Sequence, residues 1–503
     1  MTTATGMQLS QLLPQVPQRL AALRVSGLCI DSRKVQAGDL FFARSGVQHR
    51  GADYIGQAAL QGAVAAVVDE HELAEEAVQQ FSIPVLRVAG LDAQLGYAAS
   101  RFYGEPSREM RVIGITGTNG KTSCAHYLAQ ALNSCGLRAA LIGTVGNGFP
   151  GLLREATHTT PDPISLQAEL ARLRAEGAQA VVMEVSSHAL DQGRVAGVQF
   201  DAAAYTNLTH DHLDYHGDMA AYAKAKARLF TDYGAPLQVL NADDAEGRVL
   251  LAQPCPAGGE RIGFSLHDSG VQVYVEHLTL RAQGLMFELH TPWGEVLVTA
   301  PLLGEFNVSN LLLVAALLGG LGFELSNIAS ALAQLEPVCG RMERLSAPGM
   351  PTVIVDYAHT PDALDKALQA TRAHMEGSSR LWAVFGCGGD RDNAKRAVMG
   401  QIAAAGADEI VLTSDNPRSE NPHSIIQMIQ QGIPQGRAVH VEPDRAQAIA
   451  FAVAHAAPGD MVLVAGKGHE TYQEVNGVRS AFSDQEHVRS ALSVRASGEG
   501  AGG

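Results

Sequence analysis

Short apolar runs recur along this chain, each ending in glycine or polar residues and each separated from the next by a helical stretch. RVIGIT, AALIGT, AVVMEVS, FDAAAYTN and PLQVLNA make one set from Met110 onward. TVIVDYAHTPD, LWAVFGCGGDRD, EIVLTSDNPR, AVHVEPD and MVLVAGKGHE make a second from Pro351. A strand that is apolar throughout is buried on both faces, and helices between such strands imply a parallel sheet covered on both sides. The fold class is therefore α/β. Residues 265–300 (VQVYVEHLTL, LMFELHT, EVLVTA) instead alternate, as antiparallel strands flanking the main sheet do. Ahead of both sets, GLCIDSR, DLFFAR, AAVVDE and PVLRV surround an alanine-rich helix near Ala58. A chain of 503 residues suits three domains, expected here at residues 1–109, 110–338 and 339–503.

In open α/β sheets ligands bind at the carboxyl ends of the strands, and polar residues stand at five successive strand ends of the second set. A net charge of −15 argues against nucleic acid as a partner. The six cysteines are scattered with no CxxC pair, which suits a reducing cytosol rather than a disulfide framework. No early apolar run is long enough for a signal peptide, and LLLVAALLGGLGF (residues 311–323) is too short to cross a bilayer. It reads as a buried helix. The expectation is a cytoplasmic monomer that acts on small molecules without entering a membrane.

The segment Gly114-Ile115-Thr116-Gly117-Thr118-Asn119-Gly120-Lys121-Thr122 follows a strand and opens a helix. Glycines there let backbone N–H groups point at phosphate oxygens, and a helix N-terminus favours their charge. Lys121 would reach the β- and γ-phosphates and the Thr122 hydroxyl would ligate magnesium. The spacing is GxxGKT rather than GxxxxGKT. Glu184 ends an apolar strand, and a hard-oxygen ion such as magnesium suits a carboxylate placed there. For His210 or His212 taken alone, a surface or structural role is the plainer reading.

Together, GTNGKT, MEVSSH, TNLTHDHLDYHGD, GEFNVSN, GRME and DYAHTPD resemble the Mur ligase family, in order and spacing, over essentially the whole chain. The resemblance implies three domains: one for a uridine nucleotide, a central P-loop-type ATPase built on a parallel sheet, and a C-terminal Rossmann-like domain. It implies ATP as co-substrate and Mg2+ as cofactor. Thr116 to Thr122 (Thr116, Gly117, Thr118, Asn119, Gly120, Lys121, Thr122), Asn307, Asn310, Arg341 and Asp356 would bind ATP. Thr122, Glu184, His212 and Lys226 would hold magnesium, with Lys226 carbamylated by carbon dioxide, so Lys121, Lys226 and His212 are the catalytic candidates. An ammonium cannot ligate magnesium, whereas a carbamate supplies anionic oxygens.

The resemblance also reaches the substrates. DNPR (Asp415, Asn416, Pro417, Arg418) resembles the motif of the member that adds meso-2,6-diaminopimelate, and Arg391, Gly466 and Glu470 match further contacts to that amino acid. Arginine suits a distal carboxylate because its planar fork binds in bidentate fashion. Ile30, Ser32, Val47, Gln48 and His49, with Thr159, Thr160, Ser186, Gln192 and Arg194, match positions for a UDP-muramoyl dipeptide. Two alternatives stay open at this point. One is a ligase of the same architecture that adds lysine or extends folate with glutamate; the other is a P-loop binding protein without ligase chemistry.

Overall fold

The computed structural model describes residues 6–46, 49–156, 158–255, 258–281 and 283–498. They fall into two compact units. The first comprises residues 1–264 and 316–322, the second residues 265–315 and 323–503.

In the first unit, β1 (Gly27–Cys29), β2 (Asp39–Ala43), β3 (Ala65–Asp69) and β4 (Val85–Val88) form a parallel sheet in chain order. Its neighbours in the chain are β5 (Arg111–Thr116), β6 (Ala139–Ile142), β7 (Ala180–Glu184), β8 (Ala202–Tyr205), β9 (Leu237–Asn241) and β10 (Glu260–Ser265). These run parallel in the order β6-β7-β5-β8-β9-β10. Nearly every residue of β5 to β9 is buried, as continuous apolar runs require. The register sets Glu184 opposite Ile115 and Tyr205 opposite Thr116, so the strands end level and their loops emerge along one edge.

Two glycines tie the small sheet to the large one. A Cβ on Gly96, in the helix Leu91–Phe102, would lie 2.3 Å from the Ala196 carbonyl oxygen. A Cβ on Gly197 would lie 2.6 Å from the Gly96 carbonyl oxygen. Backbone meets backbone there, and Gly197 also has φ of 80°. Arg44, at the end of β2, spans the same joint: its Nε donates to Asp92 at 2.5 Å and its Nη2 to the Gln192 carbonyl at 3.3 Å.

In the second unit, β11 (Val273–Arg281), β12 (Gly284–Thr291) and β13 (Gly294–Ala300) pair antiparallel, as their alternation implied. Most of the apolar stretch falls in the helix Glu305–Gly320, which begins among residues of the second unit and ends among those of the first, and whose residues from Leu311 to Gly319 are all buried. Among the described residues no helix is long and apolar enough to cross a membrane. The remaining strands are β14 (Thr352–Asp356), β15 (Leu381–Phe385), β16 (Glu409–Leu412), β17 (His440–Val441) and β18 (Met461–Ala465), followed by a hairpin of β19 (Tyr472–Val475) and β20 (Val478–Ala481). They order β14-β18-β15-β16-β17, all parallel, with the short strand Glu343–Leu345 antiparallel at the β14 edge. Ala465 stands opposite both Asp356 and Phe385, and Phe385 opposite Leu412, so four strand ends share one edge. None of the six cysteines is in a disulfide.

Candidate active site

The loop after β5 is shaped by its glycines. Gly117 has φ of 145°, and a Cβ on it would stand 1.8 Å from the Thr206 hydroxyl. Gly120, at φ of 84°, opens the helix Lys121–Ser134. The loop after β8 braces this turn: Asn119 N donates to the Asn207 side chain at 3.0 Å, and the Thr206 hydroxyl to the Asn119 carbonyl at 2.6 Å. Thr118 joins the Tyr222 hydroxyl at 3.2 Å. The Thr116 hydroxyl is buried without a hydrogen-bond partner.

Glu184, 1% exposed, is the carboxylate of this edge. One oxygen accepts from the Thr122 hydroxyl at 2.8 Å and the other from Thr144 N at 2.7 Å. Gly143 makes room, since a Cβ there would come within 2.3 Å of the carboxylate. Thr144 is a site residue that the sequence alone did not flag. Only its place after the β6 run could have drawn attention to it.

Lys226 sits in the helix Met219–Thr231, capped by the Asp218 side chain on Ala221 N. Its buried stripe is Tyr222, Ala223, Ala225, Lys226, Leu229 and Phe230, so Lys226 falls one turn after Tyr222 on the inner face while Lys224 stays exposed. The Lys226 ammonium is 1% exposed and donates to the Gly117 carbonyl at 2.7 Å. Lys121 donates to that same carbonyl at 2.9 Å and to Thr118 O at 2.8 Å. Burial, then the neighbouring Lys121 charge, pushes the Lys226 pKa down to about 6. His212 is exposed, with φ of 53°, in a group of rings. Its centroid is 4.9 Å from His188 and 6.1 Å from Tyr222. Burial lowers the pKa of His188, and the nearby His212 and His216 charges add to the shift. Among the described residues no three His, Cys, Asp or Glu side chains converge as a metal cluster. A cation at this edge would draw on hydroxyl and carbamate oxygens as well.

The dipeptide candidates of the central segment do come together. The Thr160 hydroxyl donates to the Glu184 carbonyl at 2.8 Å and accepts from Ser186 N at 3.1 Å, and Thr159 meets Thr144 at 3.0 Å. Arg194 donates to the Gln192 side chain at 2.7 and 3.0 Å and to Thr160 O at 3.0 Å. Tyr215, which the sequence did not single out, accepts from Gln192 at 3.1 Å. It also lines a cavity of about 880 Å³ with His216, Lys224 and Arg228. In the N-terminal segment, Ser32 is buried and donates to Gln57 at 2.8 Å, Ile30 is partly buried, and His49 is exposed with its ring 6.2 Å from Tyr54. Val47 and Gln48 lie outside the described residues.

The second unit carries the other candidates. Asn310 donates to Asn307 at 2.9 Å, and Asn307 to Leu303 O at 2.7 Å, both side chains being buried. The Asp356 carboxylate accepts from Met342 N at 2.7 Å and Ala358 N at 2.8 Å, which ties the GRME segment to the end of β14. Arg341 lies over the Tyr357 ring at 4.8 Å. At the ends of β16 and β18, Asn416 donates to Glu470 Oε2 at 2.8 Å, and Arg418 Nη1 donates to Gly389 O at 2.7 Å. Arg391 is exposed nearby, its Cγ 4.0 Å from where a Gly388 Cβ would be, with Arg418 Nη1 3.0 Å from the same point. Lys467, which sequence reasoning passed over between Gly466 and Glu470, is 0% exposed and bonds both Asn416 and Glu470.

Residues 24–103 match the description "Mur ligase family, catalytic domain", residues 115–318 "Mur ligase middle domain", and residues 340–468 "Mur ligase, glutamate ligase domain". A UDP-N-acetylmuramoyl-L-alanyl-D-glutamate–2,6-diaminopimelate ligase of Alkalilimnicola ehrlichii is 52% identical over 482 residues, covering 93% of this chain and 95% of its own. The protein of the same name from Pseudomonas aeruginosa is 49% identical over 488 residues, covering 97% and 98%. A solved structure of a ligase of that name superposes with a TM-score of 0.76 at 36% identity, covering 98% of this chain and all of the other.

Proposed function

The chain belongs to the Mur ligase family, and from that membership we propose that it joins meso-2,6-diaminopimelate to UDP-N-acetylmuramoyl-L-alanyl-D-glutamate, using ATP, in peptidoglycan precursor synthesis. The three segments divide the work: residues 1–109 for the uridine nucleotide, 110–338 for ATP and 339–503 for the amino acid. A monomer in the cytoplasm suffices for three small substrates.

The reaction follows from the poor reactivity of a carboxylate toward amines. The accepting carboxylate attacks the γ-phosphorus of ATP and becomes an acyl phosphate, releasing ADP. The amine of diaminopimelate adds to the acyl carbon, and the tetrahedral intermediate collapses to the amide with loss of phosphate. Such transfer needs position and charge neutralisation more than covalent help from the protein. The N–H groups of the loop Gly117–Gly120 and the Lys121 ammonium serve the phosphates. Thr160, Ser186, Gln192 and Arg194 hold the dipeptide, next to the Thr122–Glu184 pair through the Glu184 carbonyl.

Magnesium suits the hard oxygens of Thr122 and Glu184, 2.8 Å apart. Those two, with His212 and a carbamate on Lys226, are the residues that would hold it, and bound there it would supply charge neutralisation to the phosphates. The observation that carries this reading is the carbonyl of Gly117, shared by two lysines. Two ammonium groups on one carbonyl repel, and a buried amine that is largely neutral near pH 7 is the form that reacts with carbon dioxide. The resulting carbamate turns that repulsion into an ion pair with Lys121.

Phosphate release, measured with each substrate omitted in turn, tests the proposal. Release should need ATP, the UDP-muramoyl dipeptide and diaminopimelate together, with a product whose mass is that of the dipeptide plus diaminopimelate less one water. Turnover with the first two and lysine in preference to diaminopimelate would overturn the amino-acid assignment.

A further inference from the structure

At the amino-acid edge of the second unit a buried cation, Lys467, touches two of the residues assigned above to the amino acid and has no task in that reading. Lys467 follows β18 between two glycines, Gly466 at φ of 121° and Gly468 at φ of 53°. A Cβ on Gly466 would lie 3.2 Å from the Asp415 carboxylate, so the turn passes close beneath it. The Lys467 ammonium is fully buried, 3.0 Å from Asn416 Oδ1, 3.1 Å from Glu470 Oε2 and 3.8 Å from Asp415 Oδ1. Asn416 completes the knot by donating to the same Glu470 oxygen at 2.8 Å. The second buried cation nearby, Arg445, is taken up fork to fork by Asp484, at 2.7 Å for each bond. Glu474 of β19 pairs with Arg479 at 3.2 Å. Lys467 is thus the cation in hydrogen-bond contact with Glu470, and it shares the charge of Asp415 with the Arg445 guanidinium.

We propose that Lys467 is a specificity-determining residue: its ammonium sets the charge of the pocket so that a zwitterionic distal end is accepted and a purely cationic one is not. The inference rests on the diaminopimelate reading of this edge. Diaminopimelate presents an ammonium and a carboxylate at its distal end, with no net charge. Lysine presents an ammonium alone. Without Lys467 the cluster is one charge more negative whatever the state of Asp415, which favours the cation and opposes the carboxylate. Lys467 also occupies Glu470 Oε2, leaving Oε1 as the oxygen for a ligand ammonium.

The test compares Lys467→Met, which removes charge and hydrogen bonds, with Lys467→Gln, which keeps a donor and removes only charge. KM and kcat are measured for meso-diaminopimelate and for L-lysine, with KM for ATP and for the UDP-muramoyl dipeptide alongside. Both variants should lower the ratio of kcat/KM for diaminopimelate over lysine by about tenfold or more, chiefly through KM, with the ATP constant within about twofold. An unchanged ratio in either folded variant overturns the proposal. So does an equal loss for both amines, which would mark Lys467 as a packing residue only. Should both variants fail to fold, Lys467→Met combined with Glu470→Gln removes one charge of each sign. It leaves the net charge of the cluster as it was, so its folding with a ratio near that of wild type supports the proposal, and its failure to fold or a ratio lowered tenfold overturns it. A wild-type enzyme that does not use diaminopimelate fails the earlier reading instead, and that result is seen before any variant is made.

Discussion

The carboxyl edge of β5 to β9 and that of β14 to β18 are built on the same plan and finished in opposite ways. On the first, lysines rest on backbone carbonyls and the carboxylate of Glu184 rests on hydroxyl and N–H donors. On the second, three buried cations are matched within the protein, Lys467 with Glu470, Arg445 with Asp484 and Arg396 with Glu420, while Arg418 rests on the Gly389 carbonyl. The ligands proposed above for the two edges would account for the difference. A nucleotide triphosphate brings its own high charge and a metal counter-ion, so the edge that receives it keeps groups able to change partners. An amino acid with balanced charge is best received by a surface already close to balance.

The largest effect should come from Lys121→Ala, which should cut phosphate release by about a thousandfold or more while circular dichroism stays native. Near-normal ligation by that variant would end the distinction between the two edges. On the other edge the matched ions predict a cost in stability. Asp484→Ala takes from the buried Arg445 guanidinium the carboxylate that holds it fork to fork, and denaturant unfolding of the second unit should lose about 3–5 kcal/mol. A loss under about 1 kcal/mol would show that the pairing there is not structural.

Arg418→Ala should weaken diaminopimelate by about 2–5 kcal/mol, read as a raised KM, and should narrow the gap to lysine. ATP kinetics should barely move if ATP binds on the first edge as proposed. Equal changes in both constants would break the separation of tasks.

The smallest and most specific test concerns pH. Lys226 in the unmodified fold titrates near 6, whereas an ordinary lysine does so near 10.5. Between those values the unfolded chain binds the extra proton, so stability should rise with pH. The penalty is fully present below about pH 6 and gone above about 10.5. The midpoint of thermal unfolding in carbon dioxide-depleted buffer should therefore climb from pH 6 to 9 more steeply for wild type than for Lys226→Met. Carbamylation, followed with 13C-labelled bicarbonate, should be near its plateau by neutral pH. Parallel slopes for the two proteins would remove the buried-amine argument.

Much of this was legible in the sequence, and for physical reasons. Continuous apolar runs bounded by glycine leave a parallel sheet as the economical fold, and GTNGKT after such a run leaves little but a phosphate loop. Glu184 stood out because a carboxylate at the end of an apolar strand is a hard-oxygen group suited to magnesium, and the donors that hold it came only with the fold. Lys226 was not visible from its surroundings in the chain. KAKAR gives two lysines in one turn, and only the helix's packing decides that one of them is buried. Lys467 drew no attention in the sequence although Gly466 and Glu470 beside it did. A lysine flanked by glycines directly after MVLVA has no exposed helix face to leave by, and that signal went unused. Arg445 and Asp484, 39 positions apart, meet only through the fold.

The joint at Gly96 and Gly197 bears on how such a chain can change over generations. Nearly any base change in a glycine codon that alters the residue installs a side chain, and at both positions its first carbon would collide with main chain rather than with something that can rotate away. The two codons are therefore bound to each other by inheritance. A recombination event that imported the first hundred codons from a relative would succeed only if the donor carried a glycine to meet the resident one, so this part of the gene should travel with its neighbour or not at all.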